Sequence, residues 1–165
     1  TLVGKATTDV LTNKTLTGNV NADTVFCTTQ FNATSGDTGV TLTNVVGMVT
    51  TVVVGTYLFD VMVPGVATAN SGIKTSFKYT TAVLTSLELT GVSYSAAALV
   101  TEHTTTATDQ ADLTSNTAAI LYTRLTGRMV VSTGGPVQFQ AAQNASHVDT
   151  TSVYVGASMT FTRVA

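Results

Sequence analysis

Ile73-Lys74-Thr75-Ser76-Phe77-Lys78-Tyr79 alternates apolar and polar residues without interruption. A β-strand points successive side chains to opposite faces, so this text sets Ile73, Thr75, Phe77 and Tyr79 inward and Lys74, Ser76 and Lys78 outward. The same period recurs in Tyr57-Leu58-Phe59-Asp60-Val61-Met62-Val63, which Pro64-Gly65 closes as a turn signal. It recurs again in Val83 to Leu89, in Val92-Ser93-Tyr94 after Gly91, and in Ala119 to Leu125. A break at Gly127 precedes Met129-Val130-Val131, and Val137 to Ala141 and Ser158 to Val164 complete the pattern. About eight to ten short strands with turn signals between them, and no helical period, read as an all-β, antiparallel β-sandwich.

Composition points the same way. Threonine occurs 36 times in 165 residues, and Thr and Val are stiff at χ1 and fit a pleated surface better than a helix. Charged residues make up only 10% of the chain, against roughly a quarter in average domains. The seven basic residues are scattered, so no stripe exists to neutralise phosphates, and neither nucleic-acid binding nor a polybasic membrane contact is expected. The most apolar window, Val45 to Val63, contains Asp60, three threonines and two glycines and reads as two strands, not a membrane span. So little charge points to a surface lying against other subunits; the alternative is a surface kept soluble by its Thr and Ser hydroxyls.

Residues 1–22 form a polar, Thr-rich segment in which Asp9 to Asn13 is loosely echoed by Lys14 to Gly18. Such a segment cannot bury enough surface to fold alone. It is expected to be an extended arm or linker, with Leu2, Val3, Leu11 and Leu16 as its attachment residues and 23–165 as the sandwich domain. The nearly continuous apolar run Val45 to Val54 reads as a strand covered on both faces, under a loop or by another subunit. Val45, Val46, Met48, Val52 and Val54 are therefore the expected subunit-interface residues. Thr101 to Thr117 reads as a long polar surface loop. With Ala67–Gly72 and Gln143–Thr150 it is a place to look for receptor contacts through Asn70, Glu102, His103, Asp109 and His147.

The opening Leu2-Val3-Gly4-Lys5-Ala6-Thr7-Thr8-Asp9-Val10-Leu11-Thr12-Asn13-Lys14-Thr15-Leu16-Thr17 resembles a segment of tailed-bacteriophage fibre and virion structural proteins, where it precedes a C-terminal β-domain. Gly135-Pro136-Val137-Gln138-Phe139-Gln140-Ala141-Ala142-Gln143-Asn144 and Val153 to Val164 resemble the last two strands of those domains. Ala157-Ser158-Met159 departs from them by lacking an aromatic. Gly55-Thr56-Tyr57-Leu58-Phe59 is similar to a strand of trimeric jelly rolls of the C1q and tumour-necrosis-factor type. The resemblance implies a jelly roll, a homotrimer on the virion exterior, and contact with other virion proteins and with a host-surface glycan or protein. Two extents stay open: a nearly whole decoration or head-fibre protein, or the end of a longer fibre.

No catalytic, cofactor-binding or metal set emerges, so a non-enzyme is expected. Cys27 stands alone among strand residues and reads as a small buried hydrophobe. Glu102, His103, Asp109 and Asp112 have metal-ligand chemistry but no recognised ligand spacing, and read as polar residues of a loop. No Gly-x-Ser-x-Gly elbow occurs, and Glu88, between Leu87 and Leu89, faces out instead of into a dry pocket. A lectin-like, carbohydrate-binding adhesin is the alternative class, but the chain has no Trp for a sugar platform.

Overall fold

The computed structural model describes residues 22–34, 41–95, 99–106, 112–116 and 119–165, with side chains outside 95–118. The attachment residues Leu2, Val3, Leu11 and Leu16, and Asp109, lie outside the described residues. Among the described residues the chain is all-β, with antiparallel pairing throughout. The strands are β1 (Ala22–Phe26), β2 (Phe31–Ala33), β3 (Thr43–Val52), β4 (Gly55–Ala67), β5 (Ile73–Tyr79) and β6 (Val83–Ser95). They continue with β7 (Leu99–Thr106), β8 (Asp112–Asn116), β9 (Ile120–Thr133), β10 (Gly135–Ala142), β11 (Thr151–Val153) and β12 (Ser158–Arg163). One sheet runs β1-β12-β4-β9-β6-β7, with β11 and β2 added at the far end of β4; the other runs β3-β10-β5-β8.

The alternation in β4 and β5 builds the core between the sheets. Phe59 and Phe161 from the first sheet meet Phe77 from the second at ring-centroid distances of 5.4 and 5.9 Å, and Phe139 on β10 lies 6.1 Å from Phe77. Val61, Leu87, Leu89, Leu125, Met129, Val137 and Met159 are buried around these rings. Fully burying one such side chain stabilises by about 1.5–3 kcal/mol. Cys27 belongs to the same core, its Sγ donating to Thr29 O at 3.1 Å, and burial raises its thiol pKa.

Four sequence expectations are corrected. Pro64-Gly65 does not end a strand: β4 runs through to Ala67. Pro64 sits where the ladder to β9 shifts register and β4 passes to β11, with Gly65 opposite Val153, so the missing proline N–H costs no central bond. Gly127 does not break β9, which spans it; a Cβ there would stand 2.6 Å from the Phe59 ring and 2.9 Å from Leu89 Cα, and would also strike the Glu88 carbonyl. The glycine is required by close packing of neighbouring strands. Thr101 to Thr117 is not one loop, since β7 and β8 fall within it: β-branched threonines suit a strand even where no apolar alternation marks it. Ser76, expected outside, is buried.

Within the single chain the Val45–Val54 run is covered on one face only, and a bulge breaks its alternation. Asn44 pairs with Gln140 and Val49 with Gln138, so five steps along β3 oppose two along β10. This bulge turns at Gly47, whose φ of +88° favours glycine. It resets the alternation, so Val45, Met48 and Val52 all point into the chain's own core while Val46, Val49, Val53 and Val54 are exposed. Gln138 Nε2 holds the bulge by donating to Val45 O at 2.9 Å and Met48 O at 3.0 Å. β3 is the edge of its sheet, not its centre.

Candidate functional site

The first feature is the outer face of the first sheet. Register places Ser158, Met62, Arg124 and Val92 in one row, Thr160, Asp60, Thr126 and Thr90 in the next, and Thr162, Leu58, Arg128 and Glu88 in a third. Beyond them Tyr122 and Tyr94 stand opposite each other, their rings 5.8 Å apart. Leu58, Met62 and Tyr94 are each more than 40% exposed. Arg124 closes a bidentate ion pair on Asp60, and Glu88 registers directly opposite Arg128, so the two acids and two bases of the face balance. A shallow trough of about 560 Å³ lies over the Gly127 backbone, bounded by Leu58, Asp60, Glu88, Thr90, Thr126 and Arg128.

Of the expected interface residues, Val45, Met48 and Val52 are withdrawn into the core. Val46 on β3 and Val54 in the turn before β4 remain exposed. Residues that alternate along β4, β9 and β6 form the partly apolar outer face of the first sheet. Leu58 and Met62 are visible in the sequence as the outward members of β4, but only register brings them beside Tyr94 and Arg124.

The second feature is a loop cluster at the end of the sandwich opposite the start of β1. Buried Gln143 donates from Nε2 to the carbonyls of Ala33, His147 and Asp149, and its Oε1 accepts the His147 amide at 3.4 Å. Asp149 Oδ2 accepts from Thr68 Oγ1 at 2.7 Å and from Asn70 Nδ2 at 3.5 Å, which ties 143–150 to the loop after β4. The Thr68 hydroxyl holds the Asp149 carboxyl below the usual aspartate pKa; burial opposes it, and the Asn70 amide and His147 add smaller lowering effects. Thr151 Oγ1 adds a bond to Gly72 O at 2.7 Å.

Two expected contact residues, Asn70 and His147, are thus brought together through Asp149. Glu102 and His103 lie instead on β7, in register with Gly91 and Thr90 of the first sheet, whereas Asp112 pairs with Ser76 in the second. The polar set from 102 to 112 is therefore divided between sheets. Among the described residues no three His, Cys, Asp or Glu side chains gather as metal ligands.

The fold defines an antiparallel β-sandwich with one balanced, partly apolar sheet face and a tied loop cluster at one end. No protein-family model, no curated protein and no solved structure matches the chain.

Proposed function

We propose that this chain is a non-enzymatic structural subunit of a bacteriophage particle: a homotrimeric fibre knob or capsid-decoration subunit on the virion exterior, fastened to other virion proteins by its N-terminal arm. The observation that carries self-association is the outer face of the first sheet. Asp60 is ion-paired with Arg124 and Glu88 stands in register with Arg128, so the formal charges of the face cancel and a second copy can cover it without adding net charge to the contact.

Area supports the same face. The stretch from Thr56 to Pro64 pairs continuously with β9. Five strands about 4.8 Å apart over some 30 Å of strand give roughly 700 Å², close to the ~800 Å² per partner of a stable interface. The jelly-roll reading is supported by strand order, because consecutive strands β3, β4, β5 and β6 fall alternately in the two sheets. The trimer and the phage assignment rest on the resemblance of the opening, the Gly55–Phe59 strand and the ending to virion proteins and C1q-like domains. The polarity of the fold fits attachment: residue 22 enters β1 beside the end of β12, and the tied loops lie at the other end, free to meet a host surface.

Mass spectrometry of purified particles from the phage or prophage that encodes the chain tests this reading. The chain is expected there in copy numbers divisible by three; its absence from intact particles overturns the viral assignment.

A further inference from the structure

His147 Nδ1 lies 3.1 Å from the Asp149 amide nitrogen, which donates to it, and 3.1 Å from Asp149 Oδ2. One ring nitrogen cannot serve both partners at once. Accepting the amide proton requires a lone pair on Nδ1, hence the neutral ring with its proton on Nε2. Facing a carboxylate oxygen is favourable only when Nδ1 itself carries a proton. In each protonation state one of the two contacts is satisfied and the other is repulsive.

We propose that His147 is a proton-driven switch of the 143–150 loop. With the ring neutral, Nδ1 accepts the Asp149 N–H and closes the loop tip. When a proton from solvent binds Nδ1, that N–H donates to Asp149 Oδ2 and the Asp149 amide is released to water. The ring is within reach of solvent, its side chain being 36% exposed.

The surroundings confine the exchange to the tip. Gln143 clamps the carbonyls of His147 and Asp149 from inside the fold, and Thr68 and Asn70 hold the carboxylate from the neighbouring loop. Val148, between the two switching residues, is 77% exposed and meets no packing barrier. Among the described residues Asp149 is the charged group that pairs with the ring. The packed elements contribute neutral residues: Thr68, Asn70 and Ser71 from the loop, Asn32 and Ala33 from β2, and Thr151 and Ser152 from β11. Lys74 on β5 stands opposite Ala142 at the end of β10.

Amide and imidazole NMR of the whole chain tests the switch between pH 8 and pH 5, the interval in which imidazoles in general change charge. At pH 8 the His147 Nδ1 resonance is expected to be that of an unprotonated nitrogen. On acidification the Asp149 amide and the His147 ring move through one shared step, and protection of that amide from solvent exchange falls about tenfold or more. In H147N the asparagine oxygen can accept the same amide without titrating, so the step at Asp149 disappears while the amide stays protected. A protonated Nδ1 at pH 8, an Asp149 amide that does not follow the ring, or an unchanged step in H147N overturns the proposal. The first two readings need only the wild-type chain.

Discussion

Arg124 on β9 and Asp60 on β4 grip each other across the outer face of the first sheet through two hydrogen bonds, Nε to Oδ1 at 2.9 Å and Nη2 to Oδ2 at 2.5 Å. The two residues are not direct partners in the ladder: Arg124 stands opposite Met62, and Asp60 opposite Thr126. The pair is therefore diagonal and lies beside the exposed Met62 side chain. The Asp60 carboxylate, first by its hydrogen bond and then by its charge, raises the Arg124 pKa further.

An exposed pair of this kind adds little to a free subunit. D60N is accordingly expected to leave the thermal midpoint of the dissociated subunit close to wild type. If a second copy covers the face, the same change strands Arg124 at the interface and raises the dissociation constant of the oligomer by on the order of tenfold or more. Denaturation curves and dilution series on one variant read these two effects separately.

Phe77 stands at the centre of the aromatic cluster, within 6.4 Å of the rings of Phe59, Phe139, Phe161 and Tyr79. F77A is expected to cost about 3–5 kcal/mol of unfolding free energy, and F77L distinctly less, measured by urea denaturation.

G127A places a methyl group against the Glu88 carbonyl and the Phe59 ring. Since β4 and β6 both press on β9 there, relief requires backbone movement. A loss of about 1–3 kcal/mol is expected by thermal or chemical unfolding, whereas an alanine at Gly156, which has nothing within 4 Å of its added Cβ, meets only backbone strain.

Gly127 and Pro64 show where the sequence misleads. Alternation marked β4, β5 and β10 plainly, because each of these strands has one face in the core. Gly127 and Pro64 looked like punctuation, yet both lie inside strands, since crowding from a neighbouring strand and a hand-over between ladders leave no mark in a single segment. β7 and β8 were hidden because threonine serves equally as loop and strand text. Val45 to Val54 looked doubly buried because a bulge interrupts its period. The loop cluster depends on Thr68 and Asp149 meeting across most of the domain, a relationship that local patterns do not encode.

Gln143 is buried and satisfies three carbonyls and one amide of the loop cluster. Q143L keeps the volume and removes every bond, leaving those groups to find water. A cost of roughly 2–4 kcal/mol is expected in urea unfolding, with the 143–150 amides losing protection before the rest of the sandwich.

Acid should loosen the same loops. Asp149 has a lowered carboxyl pKa in the folded chain, chiefly through Thr68. Its contribution is therefore complete above the ordinary aspartate value, near 3.9, and is lost as pH falls through the lower folded value. The thermal midpoints of wild type and D149N should differ at pH 5–7, and the difference should shrink progressively as pH falls below about 4.

Self-association is the central claim, and sedimentation equilibrium of the purified chain at micromolar concentration tests it most directly. The expected mass is about 51 kDa, three times the 17.0 kDa subunit, falling toward 17.0 kDa in a variant carrying L58E and M62E on the sheet face. A wild-type chain that remains a 17.0 kDa monomer at that concentration contradicts the account.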